Sequence, residues 1–113
     1  MEKILIPLVD KYLVLNQHDI IYCTACVNYS IIRLKDQKIS NSKCLKKLSN
    51  KLNDNFLRIS QSCLVNIHHI VEIIPKKKQI LISTDEFLNY TIKFSDLCLM
   101  LEMRFKPLTK IEQ

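Results

Sequence analysis

The stretch Phe56-Leu57-Arg58-Ile59-Ser60-Gln61-Ser62-Cys63-Leu64-Val65-Asn66 decides how this chain is read. Its flanks are apolar, and its middle, Arg58 to Ser62, is short, polar and rich in hydrogen-bond donors. Phe56, Leu57, Ile59, Leu64 and Val65 are expected to anchor it in a core. That leaves Arg58, Ser60, Gln61 and Ser62 to meet a polar partner. Arg and Gln side chains present paired groups that fit guanine and adenine edges, and Ser bonds phosphate or base. The same residues also suit a structural turn, with Arg58 on a carboxylate and Ser60 or Ser62 capping backbone groups. Taken alone, the segment leaves these two readings level.

Charge widens the view. The chain has 113 residues, 17 Lys and Arg against 11 Asp and Glu, and a net charge of +6. Residues 33 to 58 hold eight bases (Arg33, Lys35, Lys38, Lys43, Lys46, Lys47, Lys51, Arg58) and only Asp36 and Asp54 as acids, so this stretch alone carries a surplus equal to the total. A localised basic region points to a polyanion, with nucleic acid ahead of an anionic membrane surface. Membrane roles are weakly supported. Trp is absent and Phe is sparse, no apolar run approaches the ~20 residues that span a bilayer, and Asp10 interrupts the short apolar start, which is no signal-peptide core. Five cysteines without framework spacing favour reduced thiols in a cytoplasmic protein.

The length predicts one domain with a sizeable core, since 48% of the residues are hydrophobic. Glycine is absent, so turns must be built from Asn, Asp, Ser and Lys. Short β-branched and aromatic runs predict strands. Ile4 to Val9 pairs with Tyr12 to Leu15, and Ile20 to Thr24 with Tyr29 to Leu34, across Cys26-Val27-Asn28. A further strand lies around Ile39, Ile67 to Ile74 forms a hairpin with Gln79 to Ser83, and a last strand runs from Phe87 to Ile92. Ser42 is expected to cap a helix from Lys43 to Lys51, with Leu45, Leu48 and Leu52 on one face and the lysines on the other. Ser95 is expected to cap a second, from Asp96 to about Phe105, stopped by Pro107. The fold class is therefore mostly β: antiparallel sheets with one or two short helices.

Other chemistries find little support. Cys23-Thr24-Ala25-Cys26 is half of a zinc or redox motif, but no second C-x-x-C follows. His68 and His69, read as neighbours on a strand, point to opposite faces and could not share a metal. His18 is the only other histidine, and without glycine the usual phosphate-cradling loops are excluded. The expectation is no enzyme, no metal and no cofactor. The helix lysines and Lys76-Lys77-Lys78 could contact phosphate, though a solvated surface is the better reading of both.

The order of these features resembles the LytTR family of bacterial DNA-binding domains. The resemblance rests on Asp19-Ile20-Ile21-Tyr22, then Asn28-Tyr29, the Leu45/Leu48/Leu52 helix, the pattern Phe56-x-Arg58-x-x-x-Ser62-x-x-Val65-Asn66, and Ile70 through Ile74. It covers roughly residues 4 to 106. It implies an elongated fold of antiparallel sheets with small helices, binding DNA through loops that reach successive major grooves. Family base contacts fall on Tyr29, Gln61 and Lys93, and phosphate contacts on Asn28, Arg58, Ser60 and Ser62. Tyr29 cannot act as a charged donor, and Gln61 and Lys93 stand where other donors also occur in the family. The resemblance implies a transcriptional regulator in the cytoplasm, bound to repeated promoter sites in double-stranded DNA, as a homodimer there. Family members usually follow a receiver domain answering to a sensor kinase. This sequence has no room for one, so the expectation is a stand-alone regulator or an excised output domain of a two-component response regulator. The alternative is a protein-interaction module of a signalling system that uses strand edges and the leucine face without DNA.

Overall fold

Runs of three to five apolar and β-branched residues, broken by Asn-, Asp-, Ser- and Lys-bearing turns, fold as ten strands and two α-helices among the described residues. The computed structural model describes residues 2–109. In chain order these are β1 (Lys3–Pro7), β2 (Tyr12–Asn16), β3 (Tyr22–Ala25), β4 (Ser30–Arg33), β5 (Lys38–Asn41), α1 (Leu45–Lys51), β6 (Phe56–Ser60), β7 (Cys63–Asn66), β8 (Ile70–Ile74), β9 (Gln79–Ile82), β10 (Phe87–Asn89) and α2 (Phe94–Glu102). All strand pairs are antiparallel. They form a β1-β2 hairpin, a β10-β9-β8 sheet and a central β5-β4-β3-β7-β6 sheet. The molecule is elongated, with principal extents of 49 × 30 × 25 Å.

The central sheet is buried on both faces because its strands are apolar in both phases of the pleat. Tyr22, Ile59, Cys63 and Val65 face one way and pack with Ile80, Ile82, Tyr90, Leu97 and Leu101 from the smaller sheet and α2. Cys23, Ile32 and Leu64 face the other way, against Leu45, Leu48 and Leu52 around α1 and Ile6 of β1. The segment 56–66 is therefore shared between two cores. Ile59, Leu64 and Val65 are buried, Leu57 packs against the first core and Phe56 against the second. Each fully buried aliphatic side chain contributes about 1.5–3 kcal/mol.

Glu86, in the turn before β10, locks the small sheet to the central one. Its carboxylate accepts hydrogen bonds from Tyr22 Oη (2.8 Å), Arg33 Nε (2.9 Å) and Thr84 Oγ1 (2.7 Å). Burial pushes the carboxyl pKa up, but the bonds from Thr84, Arg33 and Tyr22 outweigh it and bring the value from 4.5 to about 2. Burial and the same bond to Glu86 push the Tyr22 phenol to about 12. A depressed carboxyl stabilises the fold in full above its unfolded value and loses that contribution as pH falls through the folded one, here between 4.5 and about 2. Glu86→Gln is expected to cost about 1–2 kcal/mol at neutral pH, discounted for partial exposure. That cost should shrink as the pH approaches the folded value. Urea midpoints of both proteins at neutral and acidic pH check it, and a pH-independent difference would refute the assignment.

Several local expectations shift. Neither serine caps a helix: α1 starts after Cys44 and α2 after Lys93, without side-chain caps. Asn41 orders the chain ahead of α1 without capping it. Its Oδ1 accepts from Lys43 N (2.9 Å), while Ser30 Oγ donates to Lys43 O (2.7 Å), which holds a bend over Ser42 and Lys43 ahead of Leu45. Ile67–His69 is a 3-10 turn rather than strand, because the Asn66 side chain accepts from His68 N (3.0 Å). The strand expected over 87–92 ends at Asn89. Without glycine, Lys78 (φ 50°) and Asp85 (φ 65°) take the left-handed turn positions.

Candidate nucleic-acid interface

Strand directions gather distant loops at one end of the central sheet. The Thr24↔Cys63 pairing sets the β3–β4 turn beside the β6–β7 turn, and Ala25 N donates to Ser62 O at 2.8 Å. The chain leaving β10 reaches the same end, where Thr91 N donates to Ile59 O at 2.9 Å and Ile92 N to the same oxygen at 3.4 Å. These bonds explain why the last strand stops early, since they take Thr91 and Ile92 off the small sheet and onto the edge of β6. Lys93 follows directly, exposed, at the start of α2. Tyr29, Gln61 and Lys93, separated by more than thirty residues each in sequence, thus stand on three loops at one end.

The β6–β7 turn is built around its arginine. An extra residue in β6 between Arg58 and Ser60 makes a bulge opposite β7, which bends the strand and re-aims its tip. Arg58 Nε donates to Ser60 O (3.0 Å) and its Nη2 to Gln61 O. Ser60 Oγ accepts from Ser62 N (3.3 Å). The guanidinium therefore holds the carbonyls of the tip rather than a carboxylate. A guanidinium has five N–H donors, so three remain for another acceptor. The two readings that the segment left open coincide here: Arg58 and Ser60 organise the turn, while Gln61 and Ser62 stay exposed at its tip.

The neighbouring turn carries the other residues. Cys26 N donates to Tyr29 O (2.8 Å), closing it, with Asn28 exposed and Tyr29 43% exposed. A hydrogen bond with the Cys26 thiol is the main cause that raises the Tyr29 phenol pKa, so the ring is a neutral donor and acceptor at physiological pH. Below the turn, Asn41 Nδ2 donates to Ser30 Oγ (3.0 Å) and Ser30 holds Lys43 O, which sets Lys43 beside the cluster.

Two cationic groups join that the linear sequence did not place. Lys43 is one; the turn Lys76-Lys77-Lys78 is the other. Tyr90 N donates to Lys78 O (3.0 Å), which brings this turn to the end where Thr91 meets Ile59. No local signal could have found this, because it depends on the order and direction of strands. Asp19, Asp36, Asp54 and Asp85 lie in turns at the opposite end, with Arg33 and Lys35 among them. Asp96, one helical turn beyond Lys93, is the acid nearest the cluster along the chain.

The histidines and cysteines form no site of this kind. His18 lies 6.1 and 5.6 Å, centroid to centroid, from His68 and His69 at the far end. Both His69 ring nitrogens are engaged, by Ser83 Oγ and His18 O, each at 2.8 Å. No group of three or more His, Cys, Asp or Glu among the described residues is placed to hold a metal ion. Cys23 is buried, burial pushes its pKa to about 12, and Cys26 lies in the turn. No helix is long and apolar enough to cross a membrane among the described residues.

The fold is a double-faced antiparallel sheet that presents donor-bearing loops at one end. The family model of the LytTr DNA-binding domain matches residues 10–100, and the chain belongs to that LytTR family. Among solved structures, the LytTr DNA-binding domain from Bacillus cereus, part of a protein assigned as a methyl-accepting/DNA response regulator, has a similar fold. It superposes with a TM-score of 0.75 at 17% identity, over 89% of this chain and 97% of that one. No curated protein matches the sequence.

Proposed function

We propose that this chain is a sequence-specific DNA-binding transcriptional regulator that reads major-groove edges with loops. The observation that carries this is the convergence of the 26–29, 60–62 and 91–93 segments at one end, held by the Ala25–Ser62 and Thr91–Ile59 backbone bonds. In this reading Tyr29, Gln61 and Lys93 contact bases, and Asn28, Arg58, Ser60 and Ser62 contact phosphates. Lys43 and Lys76 to Lys78 supply further phosphate affinity at the rim. The chain acts in the cytoplasm as the output domain of a response regulator or as its stand-alone relative. Two copies on repeats one helical turn apart, about 34–36 Å, would stand on one face of the duplex.

Fluorescence anisotropy of labelled promoter DNA at two salt concentrations tests this. Binding should weaken by about 0.9 log unit per log unit of salt for each phosphate neutralised. Four such contacts predict a loss of roughly a hundredfold between 50 and 200 mM. An affinity that is absent at low salt, or equal at both, would overturn the proposal. A selection from random duplexes should then enrich one motif over the pool.

A further inference from the structure

The backbone of β1 has an open edge. β1 pairs only with β2 among the described strands. Gln17 N donates to Glu2 O (3.0 Å) and Leu8 N to Lys11 O (2.8 Å), and both pairs continue the register Lys3↔Asn16 through Pro7↔Tyr12. Hydrogen-bonded pairs alternate along an antiparallel ladder. Ile4 and Ile6 therefore turn their peptide groups to β2, and Lys3, Leu5 and Pro7 turn theirs away. The open edge offers the N–H groups of Lys3 and Leu5 and the carbonyls of Lys3, Leu5 and Pro7. Pro7 has no N–H to leave unpaired, which suits an edge.

This edge does not face bulk solvent alone. It forms one wall of a groove of about 800 Å³ whose other wall is α1 and the end of β5. Leu5 and Pro7 supply apolar surface above the buried Leu48, and Lys3, Lys43, Lys47 and Lys51 line the rim with no acidic residue among them. None of these four lysines makes an ion pair among the described residues. Lysine and proline on an edge normally guard it against another apolar strand. An acidic strand reverses that guard, because its carboxylates meet the ammonium groups while its amides meet the open edge.

We propose that this groove takes an extended acidic segment of a partner protein as a third strand on β1, with its carboxylates on Lys3, Lys47 and Lys51. Main-chain pairing supplies affinity in such strand addition, and side-chain contacts on alternate residues supply selectivity. A nucleic-acid backbone would use the lysines but gain nothing from Leu5, Pro7 or the open carbonyls, which offer phosphate no donor. The groove would connect a DNA-bound domain to a protein partner without using the loops at the end of the sheet.

The test uses a fluorescein-labelled octapeptide alternating glutamate with valine, titrated against the whole protein. Saturable binding is expected. A version N-methylated at every amide should fail to bind, because neither of its edges can pair with β1. The double variant Lys47→Glu with Lys51→Glu should weaken the peptide by about tenfold or more, two exposed ion pairs being replaced by repulsion. It should keep its promoter-DNA affinity and its circular dichroism. Equal binding of the methylated peptide would mean charge adsorption and would overturn strand addition. Displacement of the peptide by unlabelled duplex, or loss of DNA binding in the double variant, would assign the groove to nucleic acid instead.

Discussion

Asn66→Ala is expected to lower the unfolding free energy by about 2–4 kcal/mol, the cost of leaving buried polar backbone without partners. Asn66 is 1% exposed. Its Nδ2 donates to Ile20 O (3.0 Å) and reaches Gln17 O (3.5 Å), while its Oδ1 accepts from His68 N (3.0 Å). One side chain thus ties the end of β7 to the segment entering β3 and starts the 3-10 turn that leads to β8. Alanine removes the donor and the acceptor together. Asn66→Asp keeps only the acceptor and sets a charge against the Ile20 carbonyl, so it should be destabilising as well. Urea unfolding followed by circular dichroism measures both. A cost below about 1 kcal/mol would show that water replaces the lost partners. Because Asn66 lies at the end of the sheet away from the loops, the folded fraction of the alanine variant should bind DNA as the unchanged protein does.

The motif residues could be recognised from sequence, but the reasons behind them could not. Phe56, Leu57, Ile59, Leu64 and Val65 were legible as anchors because they are apolar residues around a polar middle, but which of the two cores each one joins was not. Asn66 looked like the last letter of a pattern, and its role depends on Ile20, forty-six residues earlier. The helix starts were misjudged for a related reason. Ser42 and Ser95 are good caps in isolation, yet Asn41 and Ser30, paired across strands, fix where α1 begins. The strand expected over Phe87 to Ile92 was cut short by a single acceptor, Ile59 O, on another sheet. Local propensity identified most of the elements. Their ends, and the gathering of Tyr29, Gln61, Lys93 and the Lys76 to Lys78 turn, came from hydrogen bonds between elements far apart in the chain.

Substitutions at Gln61 and Arg58 are expected to fail in different ways, and the difference tests whether the β6–β7 turn reads bases. Gln61→Ala should cost about 1–3 kcal/mol on the best site and little on random duplex, since a side chain that pairs with a base edge contributes only where that base is present. Arg58 is not simply a phosphate contact. Two of its donors hold Ser60 O and Gln61 O, so it fixes the backbone that aims Gln61. Arg58→Lys keeps the charge but loses the planar fork. It should therefore preserve most non-specific affinity while losing discrimination, like Gln61→Ala. Arg58→Ala should lose both, with a salt slope shallower by about 0.9 if the guanidinium neutralises one phosphate. If the two residues act through one turn, the Arg58→Lys and Gln61→Ala penalties in discrimination should combine to less than their sum. Anisotropy titrations of the selected site and of random duplex separate these outcomes. Full discrimination in Arg58→Lys alongside its loss in Gln61→Ala would mean that the turn holds its shape without the guanidinium. Arg58 would then return to the plain phosphate role that the sequence pattern implied.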